Sequence, residues 1–288
     1  MNKSITLIPL AGKGSRFSKL GYKDPKPLIE VSGKPMVVQS AKSLPNSKDY
    51  IFVTLKEHLE KYSLKKVLTD DFKNAKIVAI ENVTKGQAIT CSAGLSGVDT
   101  NSSLLVAASD NGIMIDENKY SKLIEDENVD AIIFTFRHHT SSKNNPQMYG
   151  WVKTDLKNNA IEVSVKIPIS TNPYEDHAIV GTFWFKKVEY YNIGLQNLLK
   201  KKITVNNEYY IDSLMGELIK MGLRVKVFEV NNYICWGTPD DYKTFNYWQS
   251  FFHKVQWHPY SLHNDFTINK EKLDILDKKY KKFEQENN

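Results

Sequence analysis

A short loop near the start of the chain carries residue types suited to binding phosphates. The apolar run Ile5–Leu10 predicts a buried strand, and the loop that follows it contains Ala11, Gly12, Lys13, Gly14, Ser15 and Arg16. Glycines let backbone N–H groups approach a ligand closely, and successive N–H groups form a concave anion site. An arginine can hold two phosphate oxygens at once. The spacing matches neither the dinucleotide fingerprint nor the P-loop, so the loop by itself also fits an ordinary strand-to-helix turn.

A second basic residue is fixed by its neighbours. Lys26 stands between Pro25 and Pro27 in the run Asp-Pro-Lys-Pro-Leu-Ile. Because proline restricts the backbone, this run is expected to hold the Lys26 ammonium at a set place. The glycine loop and this lysine together indicate a phosphate site much more strongly than either does alone.

These two segments resemble a known family. Ala-Gly-Lys-Gly-Ser-Arg-Phe followed by Asp-Pro-Lys-Pro-Leu-Ile is similar to the nucleotidyltransferases that join a nucleoside triphosphate to a sugar phosphate, a pattern shared by choline-phosphate cytidylyltransferases. The likeness runs from about Lys3 to about Tyr247. It implies Mg²⁺ as cofactor, and a nucleoside triphosphate and a phosphorylated small molecule as substrates. The residues that it implies here are Leu10, Ala11, Gly12, Gly14, Ser15 and Lys26 for nucleotide binding, with Arg16 and Lys26 catalytic.

A second nucleotide-binding segment is predicted at Gly86 and Gln87. Gly86 is expected to start a helix that runs to about Leu95 and to let a flat base lie against the backbone. The Gln87 amide can both donate to and accept from a base edge. Gly-Gln is also common at helix starts without any ligand, so the segment gains meaning from its order after the glycine loop.

The run Ser109-Asp110-Asn111-Gly112 follows the predicted strand Leu104–Ala108. A carboxylate at the end of a buried strand suits Mg²⁺ held between protein and phosphates. Asp-Asn-Gly is also a frequent turn sequence. The resemblance favours the metal, and it implies Asp110 as ligand and catalytic residue, Ser109 and Asp110 as nucleotide-binding, and Asn111 as acceptor-binding.

The acceptor side is predicted from three later segments. The resemblance implies acceptor contacts by Gly150, Lys166, Gly181 and Glu208. Val165 stands where these enzymes usually have Glu, so a usual hydroxyl contact is expected to be missing. A surface lysine remains an alternative for Lys166, and stabilisation of a helix N-terminus remains one for Glu208.

The run Cys235-Trp236-Gly237-Thr238-Pro239-Asp240 departs from the family at one position. The resemblance implies a second metal-binding Asp two residues before Gly237, and Cys235 stands there. Asp240 or another acid is an alternative second ligand. Mg²⁺ keeps several waters, so Asp110 with phosphates and water is the other alternative.

The elements that must position these residues alternate between strands and helices over the first 135 residues. That order predicts an α/β Rossmann-like three-layer sandwich with a mixed, mainly parallel central sheet, and ligands in such sheets bind beyond the carboxyl ends of the strands. Further strands are expected up to Arg224–Val230. Helical faces are expected at Val188, Tyr191, Leu195, Leu198 and Leu199, and at Ile211, Leu214, Met215, Leu218 and Ile219, with a helix stop at Gly222.

We predict a nucleotidyltransferase domain over 1–248, with a β-rich acceptor-side part at about 147–185. Residues 249–288 are predicted to be an aromatic segment that packs on the body and a charged C-terminal helix with an apolar stripe, Leu273, Ile275, Leu276 and Tyr280. A contact between subunits is the alternative for this tail, and a homo-oligomer stays open.

Bulk composition excludes several classes. The chain has 288 residues, 41% hydrophobic and 25% charged, with a net charge of +6. Lysines are mixed with acids, so a nucleic-acid partner is not expected. The two cysteines lack metal-type spacing, and neither a signal peptide nor a membrane-length apolar run is seen, so we expect a cytoplasmic protein without a membrane partner.

The function that these observations favour is transfer of a nucleoside monophosphate to a sugar phosphate, for surface polysaccharide synthesis. One alternative keeps the chemistry but uses a non-sugar phosphate such as phosphocholine or phosphoglycerol. The other is a nucleotide-binding regulatory subunit that has lost activity, as suggested by Cys235.

Overall fold

The computed structural model describes residues 4–282; the start of the family likeness at Lys3 and the end of the predicted C-terminal helix, 283–288, lie outside them. The strands in chain order are β1 Ser4–Pro9, β2 Glu30–Val31, β3 Lys34–Pro35, β4 Asp49–Leu55, β5 Lys76–Ile80, β6 Ser103–Val106, β7 Asn111–Met114, β8 Ala131–Phe136, β9 Gly150–Thr154, β10 Ala160–Val165, β11 His177–Phe185, β12 Val225–Glu229 and β13 Asn232–Cys235. The helices are α1 Ser15–Ser18, α2 Met36–Lys42, α3 Lys56–Lys61, α4 Leu64–Asp71, α5 Gln87–Gly94, α6 Glu117–Glu125, α7 Thr140–Asn144, α8 Val188–Lys200, α9 Ile211–Lys220, α10 Pro239–Lys254 and α11 Leu273–Lys282.

The chain forms two compact units. The first contains 4–12, 44–108 and 113–233, and the second contains 13–43, 109–112 and 234–282. The predicted division into 1–248 and 249–288 stays a prediction, and α10 runs across its boundary. Within 4–282, no helix combines the length and the apolar character needed to cross a membrane.

The first unit is built on one large sheet. Its strands follow the order β10-β9-β11-β6-β1-β4-β5, and β8 pairs with both β11 and β12. The strands β6, β1, β4 and β5 are parallel neighbours, whereas β11 runs antiparallel to β6, β8 and β9. Of these parallel strands, β1, β4 and β6 bury apolar side chains on both faces, as expected for strands covered by helices, whereas the edge strand β5 is partly exposed. The predicted α/β class with a mixed, mainly parallel sheet flanked by helices is therefore confirmed.

The predicted strands all appear, with ends displaced by a few residues at most. The sequence patterns missed four short strands: β2 and β3, which form a hairpin, and β7 and β13, which pair with each other. Each has only two to four residues, which is too few for a period of two to be visible.

Helices α8 and α9 confirm the predicted apolar faces, with one correction. The side chains of Val188, Tyr191, Leu195 and Leu198 are buried in the first unit's core, but Leu199 is 38% exposed. Leu199 directly follows Leu198, so it lies about 100° further round the helix and faces solvent. The predicted stop at Gly222 is confirmed: this residue has a φ of 85° beyond the end of α9.

The second unit has two small apolar clusters. Phe17, Ile29, Val31, Met36, Trp236 and Tyr242 form one, and Leu262, Ile268, Leu276 and Tyr280 form the other. The predicted stripe of the C-terminal helix is confirmed at Leu276 and Tyr280, and Leu273 packs against the same cluster, but the prediction is wrong at Ile275, which is 65% exposed. The prediction that the aromatic segment packs on the body is also wrong in part, since Trp257 is 74% exposed.

Candidate active site

The predicted catalytic lysine and the predicted metal-binding aspartate are in direct contact within the second unit. Lys26 Nζ lies 2.5 Å from Asp110 Oδ2 and donates a second hydrogen bond of 2.9 Å to the Gly237 carbonyl oxygen. The two side chains are only 20% and 31% exposed. The arrangement therefore places a fixed positive charge beside a carboxylate in a partly buried setting, where electrostatic interactions are stronger than in water.

Local sequence explains why Lys26 is held in place. Pro25 precedes a short 3₁₀ helix at Lys26–Leu28, and Pro27 lies within it and is buried. The Lys26 ammonium lies 5.7 Å from the centroid of the buried Phe17 ring. Gly14 has a φ of 59°, and a Cβ there would lie 3.1 Å from Lys26 Cβ. The glycine loop therefore supports Lys26 as well as offering N–H groups.

Asp110 is placed by the turn between β6 and β7. Its backbone carbonyl accepts a hydrogen bond of 2.9 Å from the Trp236 N–H. The Trp236 ring packs so closely on Gly112 that a Cβ at residue 112 would lie 2.8 Å from it. Asp110 ends this connection and Asn111 and Gly112 already belong to β7, so the Asp-Asn-Gly run is not itself a turn. It supports a carboxylate that contacts Lys26.

Cys235, which stands where the family resemblance implies an aspartate, is hydrogen-bonded to a different acidic residue, Asp241. The Cys235 thiol donates to Asp241 Oδ2 at 3.3 Å and accepts from the Gly237 N–H at 3.3 Å. Asp241 Oδ2 also accepts from the Thr238 hydroxyl at 2.6 Å, in the cap of α10. Asp240, the alternative second ligand from the sequence, is exposed in the first turn of that helix. Asp241 was not predicted from the sequence, where its one signal was its position three residues after the helix-capping Thr238.

The residues fit a divalent cation that takes few protein ligands. Among residues 4–282, no group of three histidine, cysteine or acidic side chains is arranged to hold a metal. Lys26 contacts Oδ2 of Asp110, and in the same part of the chain no donor contacts Oδ1. Mg²⁺ commonly uses one or two carboxylates, with substrate phosphates and water completing its shell. Asp110 is suited to that role, while a second protein ligand stays a prediction.

The remaining residues predicted in the glycine loop differ in exposure. Gly12, Ser15 and Arg16 are exposed, and Gly12 has open space where a Cβ would stand. Leu10 and Ala11 are buried, and the Leu10 N–H is bonded to the Val53 carbonyl at 2.6 Å. The catalytic role of Arg16 and the nucleotide-binding roles of the other four stay predictions.

In the first unit, Gly86 is required by the backbone of a neighbouring segment. It begins α5 with a φ of 116°, and a Cβ there would lie 2.5 Å from the Tyr209 N and 2.6 Å from its carbonyl oxygen. Backbone hydrogen bonds join Tyr209 to Lys85 and Ala88 on either side of this glycine. The predicted helix start is confirmed, and close packing explains the glycine without a base. Gln87 follows as the half-buried first residue of α5.

Two predicted acceptor residues are brought together by a hairpin, and a third residue joins them. Pairing of β9 with β10 sets Val165 opposite Gly150, and the Lys166 N–H donates to the Tyr149 carbonyl at 3.0 Å. A Cβ on Gly150 would lie 2.1 Å from Oδ1 of Asp212, at the start of α9. Asp212 is 9% exposed, and burial raises its pKa to about 6 against the opposing influence of its own backbone N–H and of Lys166. The sequence analysis overlooked Asp212, because an acid in a first helical turn has an ordinary explanation.

Gly181 and Glu208 have local structural roles as well. Gly181 has a φ of 88° at an irregularity of β11, and its carbonyl accepts from the Ala108 N–H at the end of β6. Glu208 is exposed and accepts a hydrogen bond of 2.9 Å from the Tyr210 hydroxyl. In the second unit, Ser109 is half-buried and Asn111 is buried. Acceptor or nucleotide contacts by these residues stay predictions.

Comparison with known proteins places the chain in a family. The sequence profile described as nucleotidyl transferase matches residues 5–218. The chain therefore belongs to the nucleotidyl transferase family, which confirms both the resemblance and the predicted class of enzyme. The bifunctional protein GlmU of Methanocaldococcus jannaschii is 28% identical over 232 residues, which are 79% of this chain and 49% of that protein. The chain thus spans about half the length of this relative.

Solved structures with the same fold include two enzymes. The nucleoside-diphosphate-sugar pyrophosphorylase from Vibrio cholerae RC9 is 23% identical, with a TM-score of 0.67, and the match covers 83% of this chain and 98% of that one. The inositol-1-phosphate CTP transferase from T. maritima is 15% identical, with a TM-score of 0.65 and coverage of 85% and 94%. At these identities, both support the fold class and no finer statement.

Proposed function

We propose that this protein transfers a nucleoside monophosphate from a nucleoside triphosphate to a sugar phosphate and releases pyrophosphate. The observation that carries the proposal is the contact of Lys26 with Asp110 and the Gly237 carbonyl. It holds one cation and one carboxylate at a fixed separation, as charge neutralisation on a polyphosphate requires. The product would be a nucleotide-sugar, used for surface polysaccharide synthesis.

Catalysis in this reaction is positioning and charge neutralisation rather than covalent chemistry. An oxygen of the acceptor phosphate attacks the α-phosphorus, and the bond from that phosphorus to the oxygen bridging to the β-phosphate breaks. Gly12 and Gly14 donate N–H groups, and Arg16 and Lys26 neutralise the charge that builds on pyrophosphate. Mg²⁺ held by Asp110 would supply further neutralisation of the phosphate oxygens.

In this scheme the base of the nucleotide and the acceptor are bound by residues of the first unit. Gln87, at the start of α5, reads the base, and Lys166, at the end of the β9–β10 hairpin, binds the acceptor phosphate. Gly150, Gly181 and Glu208 are assigned to the rest of the acceptor. A cytoplasmic location and the lack of nucleic-acid and membrane partners stay predictions.

A cytidylyltransferase acting on a non-sugar phosphate is the second candidate. The apolar Val165 beside Lys166, where a usual sugar-hydroxyl contact is missing, favours it. An inactive regulatory subunit, suggested by Cys235, is the third.

Pyrophosphate release tests all three. We would measure it with Mg²⁺ over a matrix of CTP, UTP, dTTP, GTP and ATP against sugar 1-phosphates, inositol 1-phosphate, glycerol phosphate and phosphocholine. We expect one nucleotide with a sugar phosphate to be active. Activity with a non-sugar phosphate alone would support the second candidate. Absence of any turnover, with nucleotide binding still seen by thermal shift, would support the inactive subunit.

A further inference from the structure

A buried carboxylate lies next to the predicted acceptor lysine, and the scheme above leaves it unused. Asp212 stands in the first turn of α9, 9% exposed, with Oδ1 directly above the Gly150 backbone. Any side chain on residue 150 would collide with this oxygen, since a Cβ would lie 2.1 Å from it. The glycine therefore opens the space that the carboxylate occupies.

The Asp212 carboxylate lacks the partners that buried carboxylates normally have. Its own backbone N–H is the donor that interacts with it, and from Ser4 to Lys282 no side chain donates to it. Lys166 is close enough for its charge to favour the ionised form, yet no ion pair joins the two. Buried carboxylates are usually paired or hydrogen-bonded, because desolvation of the charge is costly.

Lys166 likewise makes no contact with a carboxylate among residues 4–282. Its ammonium lies 5.4 Å from the centroid of the Tyr210 ring, on the segment that leads into α9. Its backbone has a φ of 62°, a conformation that ordinary side chains rarely adopt. The chain therefore holds opposite charges near one another, with hydrogen-bonding capacity left over on both.

We propose that Asp212 is a specificity residue for the acceptor, whose hydroxyl groups donate to its carboxylate while the acceptor phosphate lies against Lys166. The acceptor class is then a polyhydroxylated phosphate, a sugar or cyclitol phosphate, rather than an alkyl phosphate without hydroxyls. Val165, the neighbour of Lys166 on the hairpin, is apolar and offers such an acceptor no carboxylate, whereas the buried Asp212 does. This inference rests on the proposed function, because it assigns one substrate of that reaction.

A purely structural role predicts a different environment. Acids in a first helical turn are usually exposed, where the positive end of the helix dipole stabilises them. Asp212 is instead buried, and among residues 4–282 its own backbone N–H is the donor that interacts with it. Glu217, on the same helix, shows the structural alternative. It is 1% exposed and ion-paired with Lys201 and Lys220.

The test compares Asp212→Asn with Glu217→Gln in the full chain. Acceptor binding is measured by calorimetry in the presence of an α,β-methylene nucleoside triphosphate, with glucose 1-phosphate, inositol 1-phosphate and phosphocholine as probes. Pyrophosphate release then gives KM for both substrates. We expect Asp212→Asn to weaken binding of the hydroxylated probe, and to raise its KM, by about 10- to 100-fold, with the KM of the nucleotide unchanged. Glu217→Gln is expected to change neither constant.

The outcomes separate this inference from the proposed function. Turnover of a hydroxylated acceptor with an unchanged KM in Asp212→Asn would overturn the inference and leave the function standing. Binding of a hydroxylated phosphate that depends on Asp212, without any turnover, would support the inference and overturn the function. Binding of phosphocholine alone, or of none of the probes, would overturn the inference.

Discussion

Lys26 and Asp110 form an ion pair of 2.5 Å between Nζ and Oδ2, although 84 residues separate them in the chain. In this pair the positive charge of Lys26 balances the negative charge of the Asp110 carboxylate while no substrate is bound. A polyphosphate offers Lys26 other oxygens, and a cation offers Asp110 another partner. The pair therefore couples the two residues that the proposed reaction assigns to the phosphates and the cation.

Replacing Lys26 by methionine is expected to lower kcat by about 100- to 1000-fold, because it removes a charge that acts on the leaving pyrophosphate. The side chain is only partly buried, so the fold should survive. Pyrophosphate release and a thermal unfolding curve measure the two effects. Lys23→Met, at an exposed lysine nearby, is the matched control and should keep full activity. Similar activity in both variants would contradict the role of Lys26.

Replacing Cys235 by aspartate is expected to create a dependence of stability on Mg²⁺. The Cys235 thiol now donates to Asp241 Oδ2, so an aspartate would set two carboxylates against each other. We expect a lower Tm in a chelator and recovery in millimolar Mg²⁺, since a bound cation stabilises the folded state by mass action. Cys235→Ser keeps a donor and adds no charge, so its Tm should not respond. An equal response in both variants would argue against a cation near residue 235.

Sequence patterns were sufficient to predict the strands of the sheet, but not the contacts that hold the site residues in place. Buried parallel strands such as β4 and β8 are continuous apolar runs, and these are visible without a structure. The exposure of Leu199 and Ile275 was not visible in the sequence. When two adjacent helical residues are both apolar, the sequence does not show which of them faces the core.

The site shows the same limit. Gly86 was assigned to a base, yet the Tyr209 backbone, more than a hundred residues later, leaves no room for a side chain. Asp212 was overlooked because its burial depends on Gly150, and such a contact is set by tertiary packing. The motifs identified candidate site residues, but they did not predict which neighbours each of these residues contacts.

Gly86→Ala is expected to destabilise the protein strongly. The new Cβ would meet the Tyr209 backbone at 2.5 Å, and the φ of 116° is itself unfavourable for alanine. Gly97→Ala is the matched control, with a φ of 74° and open space. We expect a loss of about 1 kcal/mol for the control and at least about 3 kcal/mol for Gly86→Ala, measured by urea unfolding. Equal losses would show that the contact with Tyr209 can relax.

Lys202→Gly is expected to stabilise the protein by about 0.5–1 kcal/mol. After both α8 and α9, the residue beyond the cap is left-handed and the next N–H bonds back to the last turn: Ile203 to Leu198, and Leu223 to Leu218. Gly222 fills this position after α9, but Lys202, with a φ of 54°, fills it after α8. Gly222→Ala should lose a similar amount in the same unfolding experiment. A loss of stability in Lys202→Gly would mean that the lysine side chain makes a compensating contact.

Asp212→Asn is expected to raise stability at neutral pH while it impairs acceptor binding. Burial raises the pKa of Asp212 from 3.8 to about 6, so between these values the folded state holds the proton more tightly than the unfolded state. Stability therefore falls as pH rises through that window, and the full cost, about 2–3 kcal/mol, is present above pH 6. Asparagine removes the charge, so the gain over wild type should be large above pH 6 and vanish near pH 4.

Glu217→Gln, on the same helix, is expected to change the stability in the opposite direction. Burial acts to raise the pKa of Glu217, but hydrogen bonds from Lys201 and Lys220 hold it below its ordinary value. Removing that charge should cost about 1–3 kcal/mol at neutral pH, because two lysines lose their partner. Urea unfolding of both variants across this pH range measures the contrast. If Asp212→Asn loses stability at neutral pH, as Glu217→Gln is expected to, Asp212 has a structural partner. If it gains stability and binds the acceptor more weakly, the Asp212 charge serves binding at the expense of stability.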